Sequence, residues 1–178
     1  PSQQTRAPRL LALDTATERI TVAVVDGERQ WLADEAGGPL ASLRLLPLVY
    51  TLLERAGLAL RDLDAVAFGR GPGAFTGVRL AIALAQGIAL ALDRPLLAVS
   101  TLAALAMRAQ GGRIVSAIDA RMGEVYLAAF ARDGEGLVAL GEDVVVKPAA
   151  AIVPGGDCWH GVGTGFAAGD NALQARMQ

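Results

Sequence analysis

The sequence predicts an α/β protein made of two duplicated lobes, each with the order βββαβα, in which the second lobe looks abbreviated. Short apolar runs alternate with longer segments of helical periodicity. An apolar strand that ends at Asp14 and leads into a hairpin is echoed by one that ends at Asp119. A glycine-rich stretch, Gly69–Arg79, stands between an apolar run and a helical segment, which is the order strand, loop, helix.

The first lobe is predicted to cover residues 1–109. Its strands are expected at 10–13, 20–25, 30–35, 64–68 and 96–99, and its helices at 40–56, 76–92 and about 100–109. The pair Asp26-Gly27 predicts a hairpin turn between the second and third strands. Gly57 is expected to end the first helix, Thr76 to cap the second and Ser100 to cap the third.

The second lobe is predicted to cover residues 110–178, after the break at 110–112. Strands are expected at 113–118, 125–131 and 137–146, followed by a helix-like piece at 147–151. A second glycine cluster, Gly161–Gly165, precedes an exposed or helical tail. This order repeats that of the first lobe in pattern but not in identity.

The glycine-rich stretch allows two interpretations. Bare N–H groups at the start of a helix attract anions, so a phosphate site is one of them. The stretch ends in Thr76-Gly77-Val78, however, and a Walker loop would place lysine there. A tight turn that delivers a helix to an interface is therefore the favoured interpretation.

The helix at 76–92 is predicted to be apolar all round. Leu80 and Leu84 belong to a stripe of large residues, and Ala83, Gly87 and Ala91 to a stripe of small ones. The helix at 40–56 also has two apolar faces. Burial against another subunit and burial within one chain both remain open at this point.

Composition limits the classes of function. Of the 178 residues, 53% are hydrophobic and the formal net charge is −2, which argues against tight binding to nucleic acid through a basic face. Cys158 is the one cysteine, so no internal disulfide forms and a reducing compartment is expected. The polar first residues lack the apolar core of a signal peptide, and the run at 80–92 is short for a membrane span. We expect a cytoplasmic protein.

Four segments resemble the TsaB (YeaZ) family of the actin, sugar kinase and Hsp70 superfamily. They are 11–17 (LALDTAT), 44–48 (RLLPL), 69–79 (GRGPGAFTGVR) and 119–126 (DARMGEVY). The resemblance implies an actin-like (ribonuclease H-like) fold and a part in making N6-threonylcarbamoyladenosine at position 37 of tRNA. It implies a non-catalytic subunit that pairs with the transferase TsaD and is joined by the ATPase TsaE.

The resemblance also implies that the helices at 40–56 and 76–92 form a dimer surface, with TsaD or with a second copy when the chain is alone. The candidate interface residues are Leu45, Leu48, Val49, Leu52, Arg79, Ala83, Leu84, Gly87 and Ala91. The chain is expected to meet tRNA only through the complex. No membrane partner is expected. No cofactor or metal is expected to be required, although weak ATP or ADP binding is compatible with the superfamily.

The alternative function is an ATP-binding phosphotransferase or ATPase. Its vestigial nucleotide site would consist of Asp14, Thr15, Thr17, Asp119, Arg121, Gly161 and Gly163. The loop after Asp14 lacks glycine and lysine to hold phosphate, so a turn or cap is the favoured role for that carboxylate. For Asp119 a local salt bridge with Arg121 is favoured.

Two further features bear on function. The single histidine, His160, does not make a metal motif. Direct tRNA recognition would need Arg44, Arg70, Arg79 and Arg121 to converge, and the acidic net charge makes it secondary. The chain departs from the family at Ala41, where many relatives have histidine, and it ends soon after Phe166, so either the second lobe is abbreviated or the sequence is incomplete.

Overall fold

A computed structural model describes residues 6–153, 155 and 158–177. The chain divides into two units, one extending to Val99 and the other beginning at Ser100. Each unit is built on its own five-stranded sheet. The predicted two-lobed α/β fold is confirmed.

The first unit contains one mixed sheet in the order β3-β2-β1-β4-β5. Its strands are β1 (Arg9–Asp14), β2 (Arg19–Asp26), β3 (Arg29–Ala36), β4 (Ala65–Gly69) and β5 (Leu96–Val99). The first three strands pair antiparallel, and β4 and β5 join in parallel. Gly27 has a φ of 63°, the left-handed conformation that the predicted hairpin turn between β2 and β3 needs.

Helices α1 (Ala41–Ala56) and α2 (Phe75–Leu92) pack onto one face of this sheet. Because side chains alternate along a strand, every second residue of β1 and β2 enters the same core. The core residues include Leu11, Leu13, Val22 and Val24 from the strands, Leu45 and Val49 from α1, and Ala81 and Ala85 from α2. Gly57 ends α1 in the left-handed conformation, as predicted.

The second unit has the sheet order β10-β6-β7-β8, with β9 also paired to β7. Its elements are α3 (Thr101–Met107), β6 (Arg113–Arg121), β7 (Glu124–Asp133), β8 (Gly136–Ala139), β9 (Val144–Val146), β10 (Trp159–Val162) and α4 (Ala172–Ala175). The hairpin β6–β7 is antiparallel, and β10 lies parallel to β6. In the same way β4 lies parallel to β1, so the two units share a core arrangement.

Some elements differ from the prediction. The expected strand at 137–146 is two strands, because residues 140–143 separate β8 from β9. The helix-like piece at 147–151 is a 3-10 turn, Pro148–Ala150. Helix α3 packs on β6, β7 and β8 and therefore belongs to the second unit, whereas the predicted boundary followed it.

Helix α2 is 18 residues long with a hydropathy of 1.7, and by length and composition alone it could cross a membrane. In this chain it packs on β4 and β1 as part of the first unit. Its residues Ala81, Ala85, Ile88 and Ala89 are buried in the core. The remaining side of the helix is exposed, and that side belongs to the site described next.

Candidate functional site

Helix α1 buries one side and exposes an apolar opposite side. Leu45, Val49 and Leu52 are 0% exposed, because they point at the sheet. Their prediction as interface residues is corrected, since a second chain could not reach them without opening the core. The large apolar residues that α1 does expose are Leu43, Leu46 and Tyr50.

Helix α2 exposes the small-residue stripe. Ala83, Gly87 and Ala91 are exposed, whereas Leu84 and, on α1, Leu48 are half-buried against the core. Two large residues that sequence reasoning missed stand on the exposed side, namely Phe75 (72% exposed) and Leu90 (86% exposed). The i+3 spacing from Gly87 to Leu90 was the signal that could have placed Leu90 there.

These exposed residues define one surface, called the helix face below. It consists of Leu43, Leu46 and Tyr50 of α1, and of Phe75, Arg79, Ala83, Gly87, Leu90 and Ala91 of α2. The two helices contact each other and share one core. Exposed apolar residues concentrated on two neighbouring helices are typical of a protein-binding surface.

Arg44 of α1 and Arg79 of α2 are bonded differently, and only Arg79 belongs to the helix face. The Arg44 guanidinium forms an ion pair with Glu35 and donates to the carbonyl oxygen of Ala36 at 2.9 Å. The Arg79 guanidinium lies over the ring of Phe75, 3.1 Å from its centroid. Arg44 therefore has an anionic partner within the unit, while Arg79 rests on an aromatic ring.

The glycine loop, residues 69–79, packs against the turn that follows β1, residues 14–16. A Cβ at Gly69 would overlap the Asp14 carboxylate, and one at Gly73 would overlap the carbonyl of Ala16. The carbonyl oxygen of Ala16 accepts from the N–H of Ala74 at 2.7 Å. These glycines are thus explained by close approach between two backbone segments.

The same contact involves the first helical turn of α2. The Thr15 hydroxyl donates to the Gly77 carbonyl oxygen at 2.5 Å, and a Cβ at Gly77 would overlap the Thr15 carbonyl. Helix α2 begins at Phe75, and Ala74 occupies its N-cap position. Thr76 lies inside the helix, so the prediction that Thr76 caps it is wrong. The packing favours the tight-turn interpretation of the glycine loop.

Three residues of the predicted vestigial nucleotide site lie on the Asp14 turn or beside it. Asp14 Oδ1 accepts from the N–H of Ala16 at 2.7 Å, which is the turn-capping role favoured for this carboxylate. Thr15 is 1% exposed, with its hydroxyl bonded to Gly77. The exposed Thr17 accepts from the N–H of Arg19 at 3.3 Å.

The other four belong to the second unit. Asp119 Oδ1 accepts from the N–H of Arg121 at 2.8 Å, and the N–H of Asp119 donates to the Thr164 hydroxyl at 3.2 Å. A cavity of about 360 Å³ is lined by Trp159, Gly161, Gly163, Phe166, Gln174 and Met177. Two of the predicted glycines therefore line a cavity, whereas Asp119 and Arg121 lie at the end of β6, just before the hairpin turn.

No group of three or more histidine, cysteine, aspartate or glutamate residues suited to a metal ion occurs among the described residues. His160 lies on Gly111, where a Cβ would overlap its ring. The imidazole therefore serves as a packing group in the second unit.

Two carboxyl groups of the first unit have lowered pKa values. The side-chain hydrogen bond from Arg9 lowers the pKa of Asp26, and the backbone N–H of Arg9 lowers that of Asp64. Their ion pairs with Arg9 and Arg6 measure 3.1 and 3.0 Å respectively. Neither carboxyl belongs to the helix face or the glycine loop, so these shifts concern stability.

Comparison with known proteins gives consistent results. The family model described as "TsaD: tRNA N6-adenosine threonylcarbamoyltransferase" matches residues 41–160. The tRNA threonylcarbamoyladenosine biosynthesis protein TsaB of Escherichia coli (strain K12) is 45% identical over 133 residues, which are 72% of this chain and 58% of that protein. The protein of the same name from Haemophilus influenzae is 43% identical over 128 residues, covering 70% of this chain and 54% of that protein.

Among solved structures, YeaZ from Pseudomonas aeruginosa matches with a TM-score of 0.86 and 48% identity. The match covers 90% of this chain and 78% of that one. The chain spans between half and three fifths of the length of the two curated relatives.

Proposed function

We propose a partner-subunit function for this chain, which belongs to the TsaB (YeaZ) family. In this proposal the chain takes part in making N6-threonylcarbamoyladenosine at position 37 of tRNA. It does so without catalysing the transfer, by binding and activating a TsaD-type transferase. The observation that carries the proposal is the helix face, an exposed apolar surface on two packed helices.

Removing the exposed apolar side chains of the helix face from water favours association. Leu43, Tyr50, Phe75 and Leu90 are each more than half exposed. Covering a fully exposed large apolar side chain contributes about 1.5–3 kcal/mol, so a few such residues can drive association. Small residues at Ala83 and Gly87 let a partner helix approach closely between them.

A non-catalytic role agrees with how the polar groups are used. TsaD carries a His-x-x-x-His metal motif according to the family resemblance, whereas this chain has one histidine. Asp14 and Asp119 each cap a turn within their own unit. We therefore assign the activity of the complex to the partner, and the match to the TsaD family model to shared ancestry of the fold.

The remaining parts of the proposal follow from this one. The chain forms a homodimer when alone, a heterodimer with the transferase, and a larger assembly with a TsaE-type ATPase. It meets tRNA through the complex, and works in the cytoplasm. It needs no cofactor, and any binding of ATP or ADP is weak.

A second candidate function, an ATP-binding phosphotransferase or ATPase, draws on the cavity at Gly161 and Gly163. Two aromatic residues and two glycines line the cavity together with Gln174 and Met177, and the aromatic residues suit a planar ring. Calorimetric titration with ATP and an assay for released phosphate separate the two candidates. Micromolar affinity together with turnover by the chain alone would favour the enzyme.

The main experiment measures association by size-exclusion chromatography with light scattering. The chain is run alone and mixed with the TsaD-type protein of the same organism, and a one-to-one complex that displaces the homodimer is expected. Ala83→Arg on the helix face should abolish this complex. Leu32→Arg, at a residue of β3 that is 60% exposed and lies outside the face, is the matched control and should leave it intact.

Circular dichroism of both variants establishes that they are folded. A wild-type chain that stays monomeric and ignores the TsaD-type protein would refute the partner-subunit function. Equal binding by Ala83→Arg and wild type would place the interface elsewhere on the molecule.

A further inference from the structure

Arg79 differs from every other residue of α2. The helix comprises Phe75–Leu92, and Arg79 is its one charged residue. It is exposed, and it stands on the helix face between Phe75 and Ala83. Elsewhere along its exposed side the helix offers small, apolar or neutral polar side chains, so this position interrupts a surface that otherwise suits apolar burial.

The contacts of Arg79 leave its charge uncompensated within the described part of the chain. Its guanidinium lies over the Phe75 ring, 3.1 Å from the centroid, and no carboxylate of the described residues lies within ion-pair distance of it. A guanidinium that is stacked on a ring keeps its N–H donors directed outward in its own plane. Water satisfies those donors while the face is uncovered.

Covering the helix face changes the energy of this group. Removing a charge from water costs several kcal/mol unless a partner supplies hydrogen bonds and an opposite charge. Arg44 of α1 already pairs with Glu35 within its own unit, so its charge needs no partner from outside. The energetic cost of covering the helix face therefore depends on what the partner places opposite Arg79.

We propose that Arg79 sets partner choice: it favours a partner surface that is apolar and bears a carboxylate opposite the guanidinium, and it disfavours a second copy of this chain. This inference rests on the proposed function, because it assumes that the helix face is the contact surface. In a two-fold pair the same patch meets itself, so two copies of Arg79 enter one interface. Glu54 is the one carboxylate that α1 and α2 supply to neutralise them.

The selection is of the kind in which one residue both attracts the right partner and repels the wrong one. Opposite charge across an interface favours the heterodimer, and like charge weakens the homodimer. The stack on Phe75 fixes where the charge stands, so the carboxylate that it selects must occupy one place on the partner.

The test measures two dissociation constants by sedimentation velocity, for the homodimer and for the complex with the TsaD-type protein. Arg79→Met removes the charge and keeps an unbranched chain of similar reach. We expect it to weaken the heterodimer about tenfold and to tighten the homodimer. Arg79→Glu should weaken the heterodimer further, and raising the salt concentration should weaken the wild-type heterodimer more than that of Arg79→Met.

Arg94→Met, at an exposed arginine just beyond α2, is the matched control and should change neither constant. If Arg79→Met weakens both dimers equally, Arg79 acts through packing and the inference is overturned. Unchanged protein affinities with lost tRNA binding by the complex would assign Arg79 to a phosphate and would also overturn it. If the wild-type chain ignores the TsaD-type protein, the proposed function fails, and the homodimer constants still decide whether Arg79 opposes self-association.

Discussion

Two glycines of α2 are expected to respond in opposite directions to the same substitution. Gly77 faces the Asp14 turn, where a Cβ would overlap the carbonyl of Thr15. Gly87 is exposed further along the helix, and a Cβ there meets nothing within 4 Å. Gly77→Ala should therefore destabilise the first unit, and Gly87→Ala should stabilise it.

The magnitudes follow from the contacts. The atom that the added methyl group at Gly77 would strike belongs to the backbone, so relief requires separating the glycine loop from the turn, an overpacking cost of about 1–3 kcal/mol. Disturbing the 2.5 Å bond from the Thr15 hydroxyl to the Gly77 carbonyl adds about 1 kcal/mol. The better helix propensity of alanine offsets up to about 1 kcal/mol, which leaves a net loss of about 1–3 kcal/mol.

For Gly87→Ala only the propensity effect operates, so a gain of about 0.5–1 kcal/mol is expected. The two variants should then differ in melting temperature by something on the order of 10 °C, given the size of the first unit. Position 87 belongs to the helix face, which is the proposed contact surface. Stability must therefore be measured at a concentration where the chain is monomeric.

Urea unfolding followed by tryptophan fluorescence measures these differences. Trp31 lies in β3 and packs against the core of the first unit. A Trp159→Phe background removes the signal of the second unit, so the remaining fluorescence reports on the unit that carries both glycines. If Gly77→Ala is as stable as the parent, or if Gly87→Ala loses as much as Gly77→Ala, the close-packing account of the glycine loop is wrong.

Three other outcomes are expected. Leu45→Ala should cost about 2–5 kcal/mol in urea unfolding, because the side chain is 0% exposed, and a loss below about 1 kcal/mol would contradict its assignment to the core. Ser100→Ala should cost about 0.5–2 kcal/mol in the second unit, because the Ser100 hydroxyl accepts from the N–H of Ala103 at 3.3 Å; Ser100→Asn, which keeps a capping oxygen without setting a second carboxylate beside Asp143, should restore it. Asp26→Asn should be less stable than wild type at neutral pH, and the difference should shrink below about pH 4. The reason is that the Arg9 hydrogen bond lowers the pKa of Asp26 in the fold, so its stabilisation is present above the unfolded pKa and is lost as pH falls through the folded one. A difference that stays constant between about pH 7 and about pH 3 would refute this role.

The fold could be predicted from local signals that agree with one another. Asp26-Gly27 marked a hairpin, Gly57 the end of a helix and Ser100 a helix cap, and each occupies that place. The split of the predicted strand at 137–146 could not be seen, because β8 and β9 are both apolar and the break between them is short. The helix start at Phe75 was also missed, because Ala74 at the N-cap has no polar side chain that would indicate a cap.

The outward side of the helices was harder to predict, for a physical reason. In α2 both stripes are apolar, so periodicity locates two faces without deciding which one meets the sheet. Packing against the sheet settles which face is buried: Ala81, Ala85 and Ile88 lie in the core, and Leu90 is left outside. On α1 the same ambiguity led to Leu45 being assigned to the interface in place of residues such as Leu43.

The duplication that the sequence suggested only in pattern recurs in the contacts of the glycine clusters. In the first unit Gly69 and Gly73 pack against the turn after β1, and in the second unit Gly163 and Gly165 pack against Ala117 in the middle of β6. In each unit the strand before the glycines, β4 or β10, lies parallel to the strand that they cover, β1 or β6. A glycine-rich segment after a strand therefore has a sufficient cause in this fold without a phosphate: the chain must pass a neighbouring parallel strand, or the turn that follows it, at backbone distance. The functional argument accordingly rests on the helix face, where large apolar side chains and one charged group are exposed without such a cause.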